Sequence, residues 1–338
     1  MITQLDLDKY DAQGMYKIYD RWPELASEYY NKKLPRVDTK QLEHIVFAGM
    51  GGSGVIGDIF SAIFSKTGIH VSIVKGYHLP NTVNSNTLVI ATSVSGNTVE
   101  TLTVLDSAKK LNAKIVAFSG GGKLEEYCKK HNIEYQKIPL LHSPRASLTA
   151  YLYTALNVLI PILPITKSDV IESITKLEET KKIIFSSNLT ESNPSLNLAK
   201  WLKDIPLIYY PYGLQAAAIR FKNSLQENAK IHAIAEDVIE ACHNGIVAWE
   251  KSSAVRPILL QGQDDHKNTK ERWKIIKEYF QTNNIEYKEI FSIKGNILSK
   301  LISLIYLLDY STIYLAIMSK TNPSPIKSID FIKSKLKG

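Results

Sequence analysis

The chain has 338 residues, 44% of them hydrophobic, which is enough for two domains with full apolar cores. Its net charge of +8 fits a phosphorylated ligand, a nucleic acid or merely a lysine-rich proteome, and the absence of a basic stripe interleaved with aromatic residues argues against the nucleic acid. The two cysteines, Cys128 and Cys242, lack metal-ligand spacing and indicate a reducing compartment. Residues 1–8 do not resemble a secretory signal, so we expect a cytoplasmic protein.

Residues 1–40 are predicted to form a helical arm, in which Trp22, Tyr29 and Tyr30 are available for packing. Beyond the arm, short apolar runs alternate with segments of helical periodicity. The predicted strands are 44–48, 70–74, 87–92, 114–118 and 133–138. Alternation at this spacing is typical of parallel strands joined by right-handed crossovers. We therefore predict that residues 41–165 form a first open, doubly wound sheet, with a helix over 145–160.

The second half repeats this pattern after a polar linker of helical periodicity over residues 166–200. A second subdomain over residues 201–338 is predicted to contain a helix at 213–229 and four strands. Those strands are 207–210, 231–235, 257–260 and 286–291. The apolar stretch 301–318 is interrupted by Asp309, which indicates a core or interface helix and no membrane span. The predicted fold class is α/β, with two doubly wound parallel-sheet subdomains.

The most informative motifs are two turns rich in glycine and serine, each directly after a predicted buried strand. The first turn, residues 49–54, reads GMGGSG, and the second, residues 92–98, reads TSVSGNT. Each turn leads into a predicted helix, whose N-terminus offers free N–H groups and partial positive charge to an anion. Because neighbouring parallel strands end at the same edge of a sheet, both turns are expected to bind one phosphate.

The first turn has two alternative interpretations. Gly49, Gly51 and Gly54 match the dinucleotide pattern G-x-G-x-x-G, but the second strand leads into Lys75 and Gly76 where an NAD site needs a carboxylate. The glycines could instead serve only the conformation of a tight turn. The hydroxyl of Ser53 and the presence of the second turn favour phosphate binding.

The second turn places three hydroxyls, those of Ser93, Ser95 and Thr98, on one side of a strand–helix connection. Ser95 or Asn97 could act simply as a helix N-cap. Capping accounts for one such residue and leaves the other hydroxyls unexplained. The pattern therefore favours ligand binding.

With these two turns, the chain resembles the SIS (sugar isomerase) domain over residues 47–54 and 93–101. Segments 143–148, 220–230 and 240–245 narrow the resemblance to the bifunctional phosphoglucose/phosphomannose isomerases, known chiefly from archaea. The resemblance extends from about residue 40 to the C-terminus. Gln226 stands where this family is expected to have Asn, and His232 where it has Pro.

The resemblance implies a reversible isomerisation of glucose 6-phosphate and mannose 6-phosphate with fructose 6-phosphate. It also implies a homodimer whose site is completed by the second subunit. No metal or other cofactor is expected, since a proton shift through an enediolate needs none. The residues that the resemblance assigns to the phosphate are Gly51, Gly52, Ser53, Ser93, Ser95 and Thr98.

The resemblance also assigns the chemical steps. Glu227 is the base, Arg145 stands beside the reacting carbons and His243 assists ring opening. A lysine of the last helix belongs to the site, and Lys333 is the better match, with Lys327 close enough to be an alternative.

The residues themselves leave other interpretations open. Glu227 is predicted opposite the apolar face of its helix, where it could form an ordinary salt bridge with Arg220 or Lys230. Arg145 could form a surface ion pair. His243 could be satisfied by a local hydrogen bond at a helix end, and His142 is a rival for its role.

Two alternative functions also fit the motifs. One is another SIS-type isomerase, acting on a pentose phosphate or an amino-sugar phosphate. The other is a non-catalytic regulator that senses a sugar phosphate. A regulator would usually carry a DNA-binding module, for which the first 40 residues are too short.

Overall fold

The structure, a computed structural model, describes residues 2–37 and 42–336. The predicted boundary at residues 40 and 41 and the predicted end at residue 338 lie outside these residues. The strands are His44–Ala48 (β1), His70–Val74 (β2), Thr87–Ser93 (β3), Lys114–Ser119 (β4), Glu134–Lys137 (β5), Ile205–Tyr210 (β6), Ile234–Asp237 (β7), Val255–Gln261 (β8) and Lys288–Phe291 (β9).

Helices precede, separate and follow these strands. They are Gln4–Tyr10 (α1), Met15–Asp20 (α2), Trp22–Tyr30 (α3), Gly52–Phe64 (α4), Val99–Lys110 (α5), Gly122–His131 (α6), Leu148–Leu159 (α7), Lys167–Ile184 (α8), Pro194–Trp201 (α9), Gln215–Ser224 (α10), Val238–Ala241 (α11), Lys267–Thr282 (α12), Ile297–Met318 (α13) and Lys327–Lys335 (α14). Short 3-10 helices occur at Ile160–Ile162 and Gly245–Glu250, and one π-helical turn occurs at Leu225–Ala229.

The first sheet is parallel, with the order β2-β1-β3-β4-β5. All five residues of β1 are buried, because helices cover both faces of the sheet. Ile45 and Phe47 pack on one face with α4, whereas Val46 and Ala48 pack on the other with α5. This alternation produces the continuous apolar run seen in the sequence.

The second sheet is also parallel, with the order β7-β6-β8-β9. The four strands of this sheet thus have the same spatial order as β1 to β4 of the first sheet. The α/β class with two doubly wound parallel sheets is confirmed, and the predicted strands match the observed ones closely. The predicted helix over 213–229 is only partly right, since α10 ends at Ser224 and a π-helical turn follows.

The long helix α13 lies in the core of the molecule and packs against α8, α9 and α10. By length and composition it could cross a membrane, but 89% of its most apolar 18-residue window is buried inside the protein. The prediction of a core helix is therefore confirmed. The segment predicted as a linker contributes to the same core, since Val170 and Leu177 of α8 are fully buried.

The helical arm packs onto this core through aromatic residues. Trp22 is fully buried, stacks between Tyr19 and Tyr306, and donates from Nε1 to the carbonyl oxygen of Ala146 over 2.9 Å. The arm therefore contacts the turn that contains Arg145, directly before α7.

Candidate functional site

The two glycine- and serine-rich turns lie side by side at the carboxyl ends of β1 and β3. These strands are neighbours, and the chain leaves them toward opposite edges of the sheet, which makes this position the topological switch point. A Cβ atom at Gly49 would lie 3.0 Å from the Thr92 carbonyl oxygen and 3.1 Å from Ser53. The two turns are thus in contact, as a shared phosphate site requires.

The second turn is held by contacts that leave the N-terminus of α5 uncapped. The hydroxyls of Ser93 and Thr98 lie 2.9 Å apart, and Ser95 is exposed. Thr98 occupies the N-cap position of α5 without a side-chain bond to the helix, so neither Ser95 nor Asn97 caps α5. Asn97 Oδ1 instead accepts from the Lys123 N–H in the first turn of α6 over 3.1 Å. Gly96 has φ of 69°, and a Cβ atom there would lie 1.6 Å from the Gly121 oxygen, so only glycine fits.

The first turn links the phosphate region to the arginines of the site. Gly51 has φ of 52°, and a Cβ atom added there would meet nothing within 4 Å, since this residue faces open space. A Cβ atom at Gly52 would lie 3.5 Å from Nη1 of Arg220 and 3.6 Å from the Cα atom of Arg145. No side chain caps α4 either; in its first turn the N–H groups of Ser53 and Gly54 donate to the Met50 carbonyl oxygen.

Arg145 is buried, with 2% of its side chain exposed, and every guanidinium nitrogen donates a hydrogen bond. Nε donates to Asn228 Oδ1 over 2.6 Å, and Nη1 donates to Glu227 Oε2 over 3.3 Å. Nη2 donates to the carbonyl oxygens of Pro323 and Ser324 over 2.6 and 3.0 Å. Burial lowers the pKa of Arg145 from its ordinary value. The interpretation as a surface ion pair is therefore wrong.

The π-helical turn at Leu225–Ala229 orients Glu227. Its carboxylate pairs with the guanidinium described above and is 25% exposed. The predicted alternative of a salt bridge with Arg220 is wrong, because Arg220 turns inward to the buried Asp309 over 2.6 Å. Lys230 also does not contact the carboxylate; its ammonium donates to the Glu227 carbonyl oxygen. The base candidate and the cation nearest to it thus come from distant parts of the chain.

A cavity of about 620 Å³ opens in front of these groups. It is lined by Gly51, Asn223, Gln226, Glu227, Lys230, Pro325, Ile326, Lys327, Ser328 and Ile329. Gly51 brings the first turn to the same space as Glu227. Of the two candidate lysines of α14, Lys327 lines the cavity. Lys333 lies six residues further along that helix, which is about 9 Å along its axis.

The two histidine candidates lie in different places. His243 follows α11 on the exposed surface and does not line the cavity. His142 has φ of 63° and its Nε2 lies 3.2 Å from the Ser324 hydroxyl. Burial lowers the pKa of His142, while the nearby Asp11 carboxylate opposes this shift. Within one chain, neither histidine is brought beside Glu227 by the contacts described.

Several residues around the cavity were not predicted from the sequence. Asn228 accepts from Arg145 and donates to Thr312 Oγ1 over 2.8 Å, so it fixes the π-helical turn against α13. The segment 323–326 supplies three carbonyl oxygens to Arg145 and Lys230. The sequence contains one sign of the buried contacts: Asp309 lies inside an apolar helix, where a carboxylate needs a buried cationic partner such as Arg220.

Comparisons with known proteins identify the family. The model of the SIS domain matches residues 40–139, and the model of the bacterial phospho-glucose isomerase C-terminal SIS domain matches residues 191–336. The bifunctional phosphoglucose/phosphomannose isomerase of Caldicellulosiruptor bescii is 35% identical over 319 residues, which cover 89% of this chain and 91% of that relative. The chain belongs to the bifunctional phosphoglucose/phosphomannose isomerase family.

Two further similarities extend this picture. The D-glucosamine-6-phosphate 4-epimerase of Sulfolobus acidocaldarius is 30% identical over 73% of this chain and 77% of that relative. Among solved structures, the tagatose-6-phosphate ketose/aldose isomerase of Escherichia coli superimposes with a TM-score of 0.67 at 16% identity. This similarity covers 94% of this chain and 96% of that chain, and it shows a shared fold. As a member of the phosphoglucose/phosphomannose isomerase family, the protein is an isomerase with two SIS-type halves.

Proposed function

We propose that this protein interconverts glucose 6-phosphate and mannose 6-phosphate with fructose 6-phosphate. The observation that carries the proposal is the shared cavity, in which Glu227 faces the same space as Gly51 of the phosphate-binding turn. The phosphate would be bound by Gly51, Gly52, Ser53, Ser93, Ser95 and Thr98. The name and 35% identity of the Caldicellulosiruptor bescii relative support this substrate class.

The reaction is a proton transfer between neighbouring carbons. Binding of the remote phosphate positions the other end of the sugar, so binding energy contributes to orientation. Glu227 removes the proton from C2 of the aldose and returns it to C1, and in the enediolate between these two transfers the O2 hydroxyl proton passes to O1. The buried charge of Arg145 offsets the negative charge that develops. Glucose and mannose differ only at C2, so one enediolate serves both.

Ring opening is assigned to His243 together with a lysine of α14, either Lys333 or Lys327. His243 is exposed in the single chain, so its participation requires a second subunit that brings it to the cavity. The exposed apolar residues Phe331 and Ile332 of α14 suit such a contact. We therefore propose a homodimer. Light scattering of the Phe331→Glu variant should show a monomer where the unchanged protein is a dimer, and an unaltered mass would contradict this assignment.

The reaction as proposed needs no metal or other cofactor. We propose a cytoplasmic location, because the two cysteines indicate a reducing compartment.

The domain boundaries at residues 40, 165 and 200 remain predictions from the sequence.

The decisive experiment is an isomerase assay with glucose 6-phosphate and mannose 6-phosphate, in the presence and absence of a chelator. Formation of fructose 6-phosphate from both is expected. A second candidate is favoured by the Sulfolobus acidocaldarius relative, whose name is that of an epimerase of glucosamine 6-phosphate. Glucosamine 6-phosphate is therefore assayed in parallel. Turnover of this sugar alone would replace the proposed substrates with the amino-sugar phosphate.

A further inference from the structure

Lys230 ends the π-helical turn in the left-handed conformation, with φ of 60°. Its ammonium group donates to three main-chain carbonyl oxygens. These belong to Glu227, to Pro323 at 3.3 Å and to Pro325 at 2.7 Å. An ammonium has three N–H donors and no acceptor, so this arrangement uses all of them. The geometry differs from that of a surface lysine in an ion pair.

The partner of Lys230 is the segment 323–326, which connects α13 to α14. Arg145 holds the same segment from the other side, because its Nη2 donates to the carbonyl oxygens of Pro323 and Ser324. Three successive carbonyl oxygens, those of residues 323 to 325, are therefore bonded to two cations. Directly after them, Ile326 and Lys327 line the cavity.

These contacts connect the base to the opposite wall of the cavity. The Lys230 ammonium donates both to the Glu227 carbonyl oxygen and to the segment 323–326. The Arg145 guanidinium donates both to the Glu227 carboxylate and to the same segment. Movement of the segment away from the π-helical turn would break bonds to both cations. The separation between the Glu227 carboxylate and α14 is thus set by Arg145 and Lys230 together.

We propose that Lys230 is a positioning residue of the isomerase: it fixes the segment 323–326 to the turn that carries Glu227, so that α14 forms the second wall of the substrate cavity. This role rests on the proposed function. Lys230 acts through its neighbours and is not itself a catalytic residue. Arg145 alone cannot replace it, because the Pro325 carbonyl oxygen is bonded by Lys230 and not by Arg145.

The surroundings of Lys230 lower the pKa of its ammonium group. Desolvation of the ammonium and the nearby Arg145 guanidinium lower the pKa of Lys230 to about 8, although the Glu227 carboxylate opposes this. Lys327 is the other charged side chain that lines the cavity here. A pKa of about 8 leaves the ammonium charged at neutral pH, so all three of its hydrogen bonds are available there.

The test compares Lys230→Met, Lys230→Arg and the control Lys222→Met. Lys222 lies on α10, and no side-chain hydrogen bond or ion pair is described for it. In Lys230→Met we expect kcat for glucose 6-phosphate to fall on the order of tenfold, because two bonds to the segment are lost. The inhibition constant of inorganic phosphate should not change, since the turns after β1 and β3 are untouched. Lys230→Arg should recover part of the loss, and Lys222→Met should behave as the unchanged protein.

Hydrogen–deuterium exchange gives a readout that does not depend on turnover. In Lys230→Met, amides of residues 324–336 should exchange faster, while those of α7 stay protected. Unchanged exchange in this segment, or an equal increase in α7, would overturn the positioning role. If the unchanged protein has no isomerase activity, the proposed function fails, and the exchange result still decides whether Lys230 holds the segment.

Discussion

The Glu227 carboxylate, which the π-helical turn presents to the cavity, pairs with one buried cation. The Arg145 guanidinium lies 3.3 Å from Glu227 Oε2 and is itself fixed by bonds to Asn228 and to the segment 323–326. A cation held this firmly cannot follow a moving carboxylate, so it restricts the carboxylate to one orientation. Such restriction is what a base needs to reach one carbon-bound proton.

The first residue-scale prediction concerns Glu227→Gln. The amide keeps an oxygen that accepts from Arg145, so the fold and phosphate binding should be preserved, but it cannot accept the C2 proton. Turnover with both substrates should fall by about 10²–10⁴-fold, which is the usual contribution of a general base. Steady-state assays measure this, and Glu278→Gln on the exposed face of α12 is the matched control. Near-normal turnover would remove Glu227 from the role of base.

The second residue-scale prediction concerns the double variant Ser95→Ala with Thr98→Ala. Hydrogen bonds to a charged group contribute roughly 1.5–3 kcal/mol each, so every phosphorylated ligand should bind at least about tenfold more weakly. Ser107→Ala is the control, since its hydroxyl only donates to the Thr103 carbonyl oxygen within α5. Competition by inorganic phosphate measures the effect. Unchanged inhibition would place the phosphate elsewhere.

At the scale of elements, α13 organises the site from beneath. Asp309 is fully buried in this apolar helix and accepts from Arg220, Ser224 and Tyr19. Arg220 in turn donates to the Arg145 carbonyl oxygen over 2.7 Å. The Arg220 guanidinium therefore joins α10, which leads into the π-helical turn, to the turn that carries Arg145, and Asp309 neutralises its charge.

This buried pair leads to a prediction about stability. In Asp309→Ala the Arg220 guanidinium loses its counter-ion, and breaking a buried pair in this way costs about 3–5 kcal/mol. For a chain of this length that corresponds to a melting temperature lower by roughly 4–7 °C. Thermal unfolding measures the change. Glu179→Ala removes the exposed pair with Lys176 and should have little effect. An equal effect of both substitutions would contradict the assigned role of the pair.

At the scale of the whole molecule, two sheets of the same strand order contribute different parts of one site. The first sheet ends in the two turns that we propose bind the phosphate. After β6, by contrast, the chain continues through Pro211 and Tyr212 without a cluster of hydroxyls. The second half instead supplies Glu227, and the chain returns through 325–329 to close the cavity. The cavity is therefore built jointly by both halves.

A single cavity predicts competition between the two aldose phosphates. With both substrates saturating, the total rate should lie between the two separate rates, because each substrate excludes the other. Mixed-substrate kinetics measure this. Additive rates would indicate two independent sites, and so would selective loss of one activity in Arg145→Ala.

The sequence by itself determined the elements and the two turns. β1 and β3 are buried on both faces, which explains their continuous apolar runs. The turns need glycine where the backbone is left-handed or another chain segment lies too close for a side chain, as at Gly96. These are local properties, and local patterns predict them. The helix at 213–229 was predicted less well, because a regular period of 3.6 residues contains no sign of the π-helical turn that reorients Glu227.

Only the tertiary structure decided the partners of the charged residues. Arg220 meets Asp309 across 89 positions of sequence, and Arg145 meets Pro323 across 178. From the helical period, Arg220 was the natural partner of Glu227, but its side chain turns inward. Arg220 pairs with Asp309 because burying both side chains together leaves neither charge unpaired. The free energy of that arrangement depends on how α10, α13 and the segment 323–326 pack together. No pattern within one helix contains that information.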